Sequence, residues 1–150
     1  MDVKSTFLNG VLKEEVYVAQ PPDYEVECQE DEVYRLRKVL YGLKKAPRAW
    51  YSRIDVYLLG SGFDKCDGEP TLYIKESKGK ILIVILYVDD LIFIGSDDFF
   101  IIDFKKFMKS EFEMTDLGLL RYFLGIEVKQ TENGIFISQE KYVAKKFRDV

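Results

Sequence analysis

Two aspartates, Asp89 and Asp90, stand side by side inside a long apolar stretch, KILIVILYVDDLIFIGS over residues 80–96. Carboxylates forced together repel, and ionising both is costly unless a cation lies between them. The pair is therefore a candidate metal site. The competing reading is that Asp is a common turn residue and that both are simply solvated. Against it, Val88 and Leu91 flank the pair with apolar side chains, and the Asn-Gly or Asp-Gly dipeptide that usually closes a tight hairpin is missing. The chain has no His, which removes His-based triads and the usual zinc sites.

The elements that must position this pair follow from hydrophobic pattern. β-Branched residues are frequent in 81–86 and 91–94, so each run is expected to be a strand buried on both faces, with the acids where the chain reverses. A membrane-spanning helix needs about 20 apolar residues, and the two charges interrupt this run, so no membrane partner is expected. A third acid can reach the tip only from another strand end. Asp2, ending a short strand before a helical turn through Phe7, is the candidate.

Residues 15–20 and 33–38 alternate and are expected to pair across an acidic, solvated loop at 23–32. Gly42 permits close backbone approach or positive φ. Pro47 suits the first turn of a helix over 47–59, with Trp50, Ile54, Tyr57 and Leu58 at helical spacing. Lys44, Lys45 and Arg48 lie at its entrance, where free N–H groups and basic side chains both attract phosphate, unless this is a merely solvated basic loop. A strand at 71–75 precedes the acidic hairpin. Ser96 or Asp97 caps a helix to about residue 113, with Phe99, Ile102, Phe107 and Met108 facing inward. Residues 122–129 read as one strand, 135–138 returns beside it, and a last helix covers 139–147. Antiparallel strands with helices packed on one face make an α+β fold.

With 150 residues, ten Tyr and eleven Phe, the chain can bury a real core and is expected to form one domain. Its formal net charge is −4, yet the seven Lys and Arg of residues 35–53 are interrupted by no acid, which is compatible with one nucleic-acid-facing surface. Two cysteines, Cys28 and Cys66, make no disulfide framework and are read as reduced thiols. No signal peptide, repeat or low-complexity tract is evident, and the first residues read as the middle of a structured element.

Four motifs in order, DVKSTFLNG at 2–10, LYGLKKAPRAWY at 40–51, YVDD at 87–90 and FLGIEV at 123–128, resemble the copia-type retrotransposon reverse transcriptase. Connecting segments EVYVAQPP, SGFDKCDGEPTLYI and FEMTDLG match as well, so the likeness covers essentially the whole chain. The resemblance implies a polymerase palm that extends a primer with dNTP on an RNA or DNA template. Carboxylates from two neighbouring strand ends would hold two Mg²⁺ ions, with Mn²⁺ as a substitute. By motif, the catalytic set is Asp2, Asp89 and Asp90: Asp2, with the backbone carbonyl of Val3 beside it, and Asp89 match the two metal aspartates, and Asp90 completes the acidic tip with a weaker or indirect role at the metal. Two ions about 3.5–4 Å apart can activate a 3′-hydroxyl and stabilise leaving pyrophosphate, and oxygen donors suit Mg²⁺.

The same resemblance assigns Phe7 to crowding the 2′ position of the incoming nucleotide, although a core Phe fits the residue type equally well. Tyr41 and Gly42 would lie against the nucleotide, and Lys44, Lys45 and Arg48 against nucleic-acid phosphates. Tyr87 would sit near the primer end, and Leu124 and Gly125 match a strand turn that would support it. Ser5-Thr6 departs from the commoner Thr-Ala, and Lys45 stands where Gln is usual. The chain is expected to be a palm without the fingers and thumb regions, its further partner being the rest of the Pol polyprotein. Its location would be the cytoplasm, in the virus-like particle of an intact element. Two other readings stay open: a catalytically silent remnant that keeps the motifs, and a metal-free RRM-like module with stacking aromatics. The second is disfavoured because carboxylates at the strand tip repel phosphate.

Overall fold

The computed structural model describes residues 1–27, 29 and 31–148. Residues 2–115 form one compact unit and residues from 116 onward a second. Cys66 is a free thiol, and Cys28 lies outside the described residues.

In chain order the first unit contains β1 (Asp2–Val3), a 3-10 turn (Thr6–Asn9), β2 (Tyr17–Ala19), β3 (Val33–Arg35) and α1 (Ala46–Gly60). There follow β4 (Asp64–Lys65), β5 (Leu72–Ser77), β6 (Lys80–Tyr87), β7 (Asp90–Gly95), α2 (Asp98–Glu111) and β8 (Met114–Thr115). Strands β2 and β3 form the expected separate hairpin. The main sheet has the order β4-β5-β6-β7-β1-β8, and every neighbouring pair is antiparallel. With α1 and α2 beside it, this is the α+β architecture expected from the pattern.

Register sorts the side chains onto two faces, because directly opposed residues share a face and neighbours along a strand alternate. Leu82, Val84 and Leu86 of β6 face Gly95, Phe93 and Leu91 of β7, with Tyr73 of β5 opposite Val84. These residues meet the helices, and Tyr73, Leu82, Val84, Leu86 and Leu91 are all buried. Ile83, Ile85, Ile92 and Ile94 take the other face, where Ile94 is 64% exposed and Ile85 40%. The expectation of strands buried on both faces is thus corrected. The run is apolar on both sides, but α1 and α2 cover only one of them.

Helix α1 presents Trp50, Ile54 and Leu58, four residues apart and all buried, to the sheet. Each fully buried aliphatic side chain of this kind contributes about 1.5–3 kcal/mol relative to exposure. Gly10 lets the N-terminal segment approach this helix, since a Cβ there would stand 3.0 Å from the Trp50 backbone nitrogen. The helix stops at Ser61, whose N–H donates to the Leu58 carbonyl, followed by Gly62 at φ 80°.

Asp97 caps α2, its carboxylate accepting from the Phe100 N–H at 3.0 Å. The buried stripe is Phe104 and Met108, with Phe107 stacked on Tyr57 at 4.4 Å between ring centroids. Met108 and the partly covered Phe107 match expectation, whereas Phe99 is 76% exposed and Ile102 is also outside. The inward face turns on Phe104, whose ring meets both Phe93 and Phe63.

The second unit contains β9 (Tyr122–Phe123), β10 (Ile126–Thr131), β11 (Gly134–Ser138) and α3 (Glu140–Arg148). The single strand expected over 122–129 is two strands. Phe123 pairs with Ile126, so the chain reverses through Leu124 and Gly125, which have φ 48° and 83°. Positive φ at both central residues is the type I′ pattern, whose twist matches that of the flanking strands. Among the described residues, no helix is long and apolar enough to cross a membrane.

Candidate functional site

Two of the carboxylates singled out in the sequence, Asp2 and Asp90, lie on the face of the main sheet that α1 and α2 leave uncovered. Val3 and Leu91 are buried against the helix side, so their strand neighbours Asp2 and Asp90 take the opposite face. Asp2 is the direct partner of Asp90 across β1 and β7, and Tyr87 is the partner of Asp90 across β6 and β7. Opposed residues of antiparallel strands have Cβ atoms about 4.5–5.5 Å apart, so Asp2, Tyr87 and Asp90 form one row. Asp89 follows Val88 in the two-residue turn joining β6 to β7, and its carbonyl accepts from the Val3 N–H at 2.9 Å.

The electrostatics of this row are those of crowded like charges. Burial, and after it the neighbouring Asp89 and Asp2 carboxylates, push the Asp90 carboxyl above the ordinary aspartate range. Among the described residues, no three carboxylate, thiol or imidazole groups converge tightly enough to hold a metal ion as they stand. The donor set nevertheless fits a hard cation: oxygen ligands only, close enough to repel one another, a repulsion that a divalent ion would relieve.

The Val3 carbonyl is already in use. Thr6, 2% exposed, donates its hydroxyl to that oxygen at 2.6 Å. This leaves the second lone pair of the carbonyl and fixes its direction. The role of Thr6 was not foreseen, although a Thr three residues after a strand end is well spaced to bond backward to the main chain.

The Phe7 and Tyr41 side chains meet edge to face, 5.0 Å between centroids. The contact follows from backbone ties between distant segments: Val39 N–H donates to the Gly10 carbonyl at 3.2 Å, and Val11 bridges to Lys38. Phe7 is half-buried in the 3-10 turn, while Tyr41 is exposed. Gly42 has φ 87° with open space where a Cβ would stand. Lys44 and Arg48 are exposed beside the start of α1, whose first position is not capped by the Lys45 side chain. Lys45 is ion-paired to Glu14 at 3.0 Å, an exposed pair that a phosphate could displace. Leu124 and Gly125 form the turn of the second unit.

A residue that sequence reasoning treated only as core also reaches the site. The Trp50 indole N–H donates to the Val88 carbonyl at 2.6 Å. Its signal was general: a buried indole N–H needs an acceptor somewhere.

An antiparallel sheet thus carries paired aspartates at a strand reversal, with α1 and α2 on its far side. Over residues 1–150 the chain matches the family described as reverse transcriptase (RNA-dependent DNA polymerase), and it belongs to that family. It is 38% identical over 148 residues to the retrovirus-related Pol polyprotein from transposon TNT 1-94 of Nicotiana tabacum, covering 97% of this chain and 11% of that protein. It is 38% identical over 142 residues to the corresponding polyprotein of transposon RE2 of Arabidopsis thaliana, covering 95% of this chain and 10% of the relative. Against the putative transposon Ty5-1 protein YCL074W of Saccharomyces cerevisiae it is 36% identical over 146 residues, 97% of this chain and 47% of the other. The chain thus spans about a tenth of the length of the plant polyproteins it matches. No solved structure matches it significantly.

Proposed function

We propose that this chain is the palm of an RNA-directed DNA polymerase, joining a dNTP to a primer 3′-hydroxyl on a nucleic-acid template. The observation that carries the reading is the row of Asp2 opposite Asp90, beside the Asp89 turn, on the sheet face that α1 and α2 leave uncovered. The family match supports it.

Asp2, Asp89 and Asp90, with the Val3 carbonyl, would hold Mg²⁺, or Mn²⁺ in its place. The bound ions supply Lewis acidity at the 3′-hydroxyl and neutralise charge on the leaving pyrophosphate. The remaining roles belong to the chain's own side chains. Phe7, braced by the Tyr41 ring, would close the space beside the sugar C2′ and refuse a ribose hydroxyl. Tyr41 and Gly42 would line the nucleotide, the glycine allowing close approach. Lys44, Lys45 and Arg48 would neutralise backbone phosphates near the start of α1. Tyr87, on the row with Asp90, would contact the primer end, and the Leu124–Gly125 turn would contact the primer strand. The rest of a Pol polyprotein would be the covalent partner, and a cytoplasmic particle the setting.

Primer extension on an RNA template with dNTP and Mg²⁺ tests this directly. Asp89→Asn should lower the rate by about a hundredfold or more, as expected for losing a ligand of the reacting centre, with an unchanged circular dichroism spectrum. Retained extension refutes the assignment. Phe7→Ala should admit ribonucleotides, and unchanged sugar discrimination would return Phe7 to the core. The second reading is a silent remnant that keeps the motifs. A parent chain that fails to extend, both alone and joined to the rest of its polyprotein, would establish it.

A further inference from the structure

We propose that Trp50 is a positioning residue for the acidic turn: by holding the Val88 carbonyl, its indole N–H keeps Val88 in the left-handed conformation that presents Asp89 and Asp90 beside Asp2. The inference rests on the reading of these carboxylates as metal ligands.

Val88 has φ 53°, a conformation that is a genuine outlier for a β-branched residue. It is also 48% exposed, so packing around its own side chain does little to impose that geometry. The constraint comes from the main chain on either side of Asp89. The carbonyl before Asp89, that of Val88, accepts from Trp50 at 2.6 Å. The carbonyl of Asp89 itself accepts from the Val3 N–H at 2.9 Å. Both peptide planes flanking Asp89 are therefore pinned, one by α1 and one by β1, and two fixed planes fix the direction of its Cα–Cβ bond.

Trp50 is well placed to act as the anchor. It is 2% exposed, its ring lies edge to face with Phe112 at 5.3 Å, and Gly10 allows the β1 segment to close against its backbone. Helix α1 thus carries one rigid donor to the turn, while the neighbouring strand, which bears Asp2, carries the other. The arrangement links all three carboxylates through one set of hydrogen bonds. Groups that orient metal ligands from behind in this way matter to the metal although they never touch it.

The test is a cycle of the 150-residue chain with Trp50→Phe, Val88→Gly and both together, titrated with Mn²⁺ alone while free Mn²⁺ is counted by electron paramagnetic resonance. Phenylalanine keeps a buried aromatic ring, smaller than the indole, and removes the N–H. Trp50→Phe should weaken Mn²⁺ binding about tenfold or more. Val88→Gly alone should leave it unchanged, and added to Trp50→Phe it should restore most of the loss, because glycine adopts the left-handed conformation without a clamp. A merely structural tryptophan would not be rescued at residue 88. Since Trp50 is the only tryptophan, quenching of its emission by Mn²⁺ in the parent reports on this turn alone.

Trp50→Phe binding as tightly as the parent overturns the proposal, and so does a double variant no better than Trp50→Phe. Should Trp50→Phe fail to fold, recovery of the fold in the double variant supports the clamp, and continued failure overturns it. A parent chain that binds no Mn²⁺, or an Asp89→Asn variant that binds as well as the parent, removes the ligand set and the clamp with it. That failure is visible before any Trp50 variant is compared.

Discussion

The turn that offers Asp89 and the turn at Leu124–Gly125 are each two residues long, and each begins with an apolar residue at positive φ, yet they are held in opposite ways. Leu124 at φ 48° is followed by Gly125 at 83°, so both central residues are left-handed and the glycine takes its share without strain. Lys78 and Gly79, between β5 and β6, repeat that arrangement at φ 51° and 75°. Neither central residue of the Val88–Asp89 turn is glycine, and of the two only Val88 has positive φ. Left-handed backbone costs an L-residue about 1–2 kcal/mol, comparable to what burying one aliphatic side chain contributes. Hydrogen bonds from Trp50 and Val3 oppose that cost from outside the turn. A turn that only reverses the chain can be made of local preference. One that must hold a carboxylate in a set direction draws on its neighbours, and stored strain of this kind collects at functional sites.

The contrast can be broken most sharply at the glycines. Nothing lies within 4 Å of a Cβ built on Gly125 or Gly79, so alanine at either position meets only backbone strain. Gly125→Ala and Gly79→Ala should each cost about 1–2 kcal/mol, read as faster amide hydrogen exchange in β9–β10 or in β5–β6. Val88→Gly should move stability far less, within about 0.5 kcal/mol, since relief of strain and the greater freedom of the unfolded chain oppose each other. If Gly125→Ala is neutral while Val88→Gly is costly, the two kinds of turn have been wrongly distinguished.

Much of this difference could be read from residues alone, and the rest could not for identifiable reasons. The acidic reversal was marked by charges breaking an apolar run, and α1 by the four-residue spacing of Trp50, Ile54 and Leu58. The contact between the Phe7 and Tyr41 rings is made by the fold, since the two sit on segments distant in sequence. The one-sided cover over β6 and β7 is not visible in the residues, because Ile83, Ile85, Ile92 and Ile94 are as apolar as the buried residues between them. The phase of α2 was ambiguous for a similar reason. Its sequence DFFIIDFKKFMKSE is apolar on more than one side, and the choice of Phe104 over Phe99 is made by Phe63 and Phe93. In residues 122–129 the Leu-Gly turn continues the apolar pattern of its flanks, so hydrophobic pattern alone reads one strand there, whereas the family motif marks the turn. The bonds from Thr6 to Val3 and from Trp50 to Val88 join elements whose meeting only the fold determines.

The smallest expected effect separates the two turns by charge. Residues 122–126 carry no acid, whereas Asp90 has its carboxyl raised by burial first and then by Asp89 and Asp2. A carboxyl with a folded-state pKa above its unfolded value opposes folding when ionised. The penalty is complete above the folded pKa, shrinks as pH falls through the window down to the ordinary value of 3.8, and is absent below it. With a chelator present, Asp90→Asn should therefore melt at a slightly higher temperature than the parent at pH 7, and the gap should close toward pH 4. Millimolar Mg²⁺ should reverse the order, because the parent gains a counter-ion that the amide cannot hold as well. The stability difference caused by Gly125→Ala should stay constant over the same pH range and ignore the metal. An Asp90→Asn chain that melts below the parent in chelator would mean that the row of carboxylates carries no unrelieved repulsion for a cation to answer.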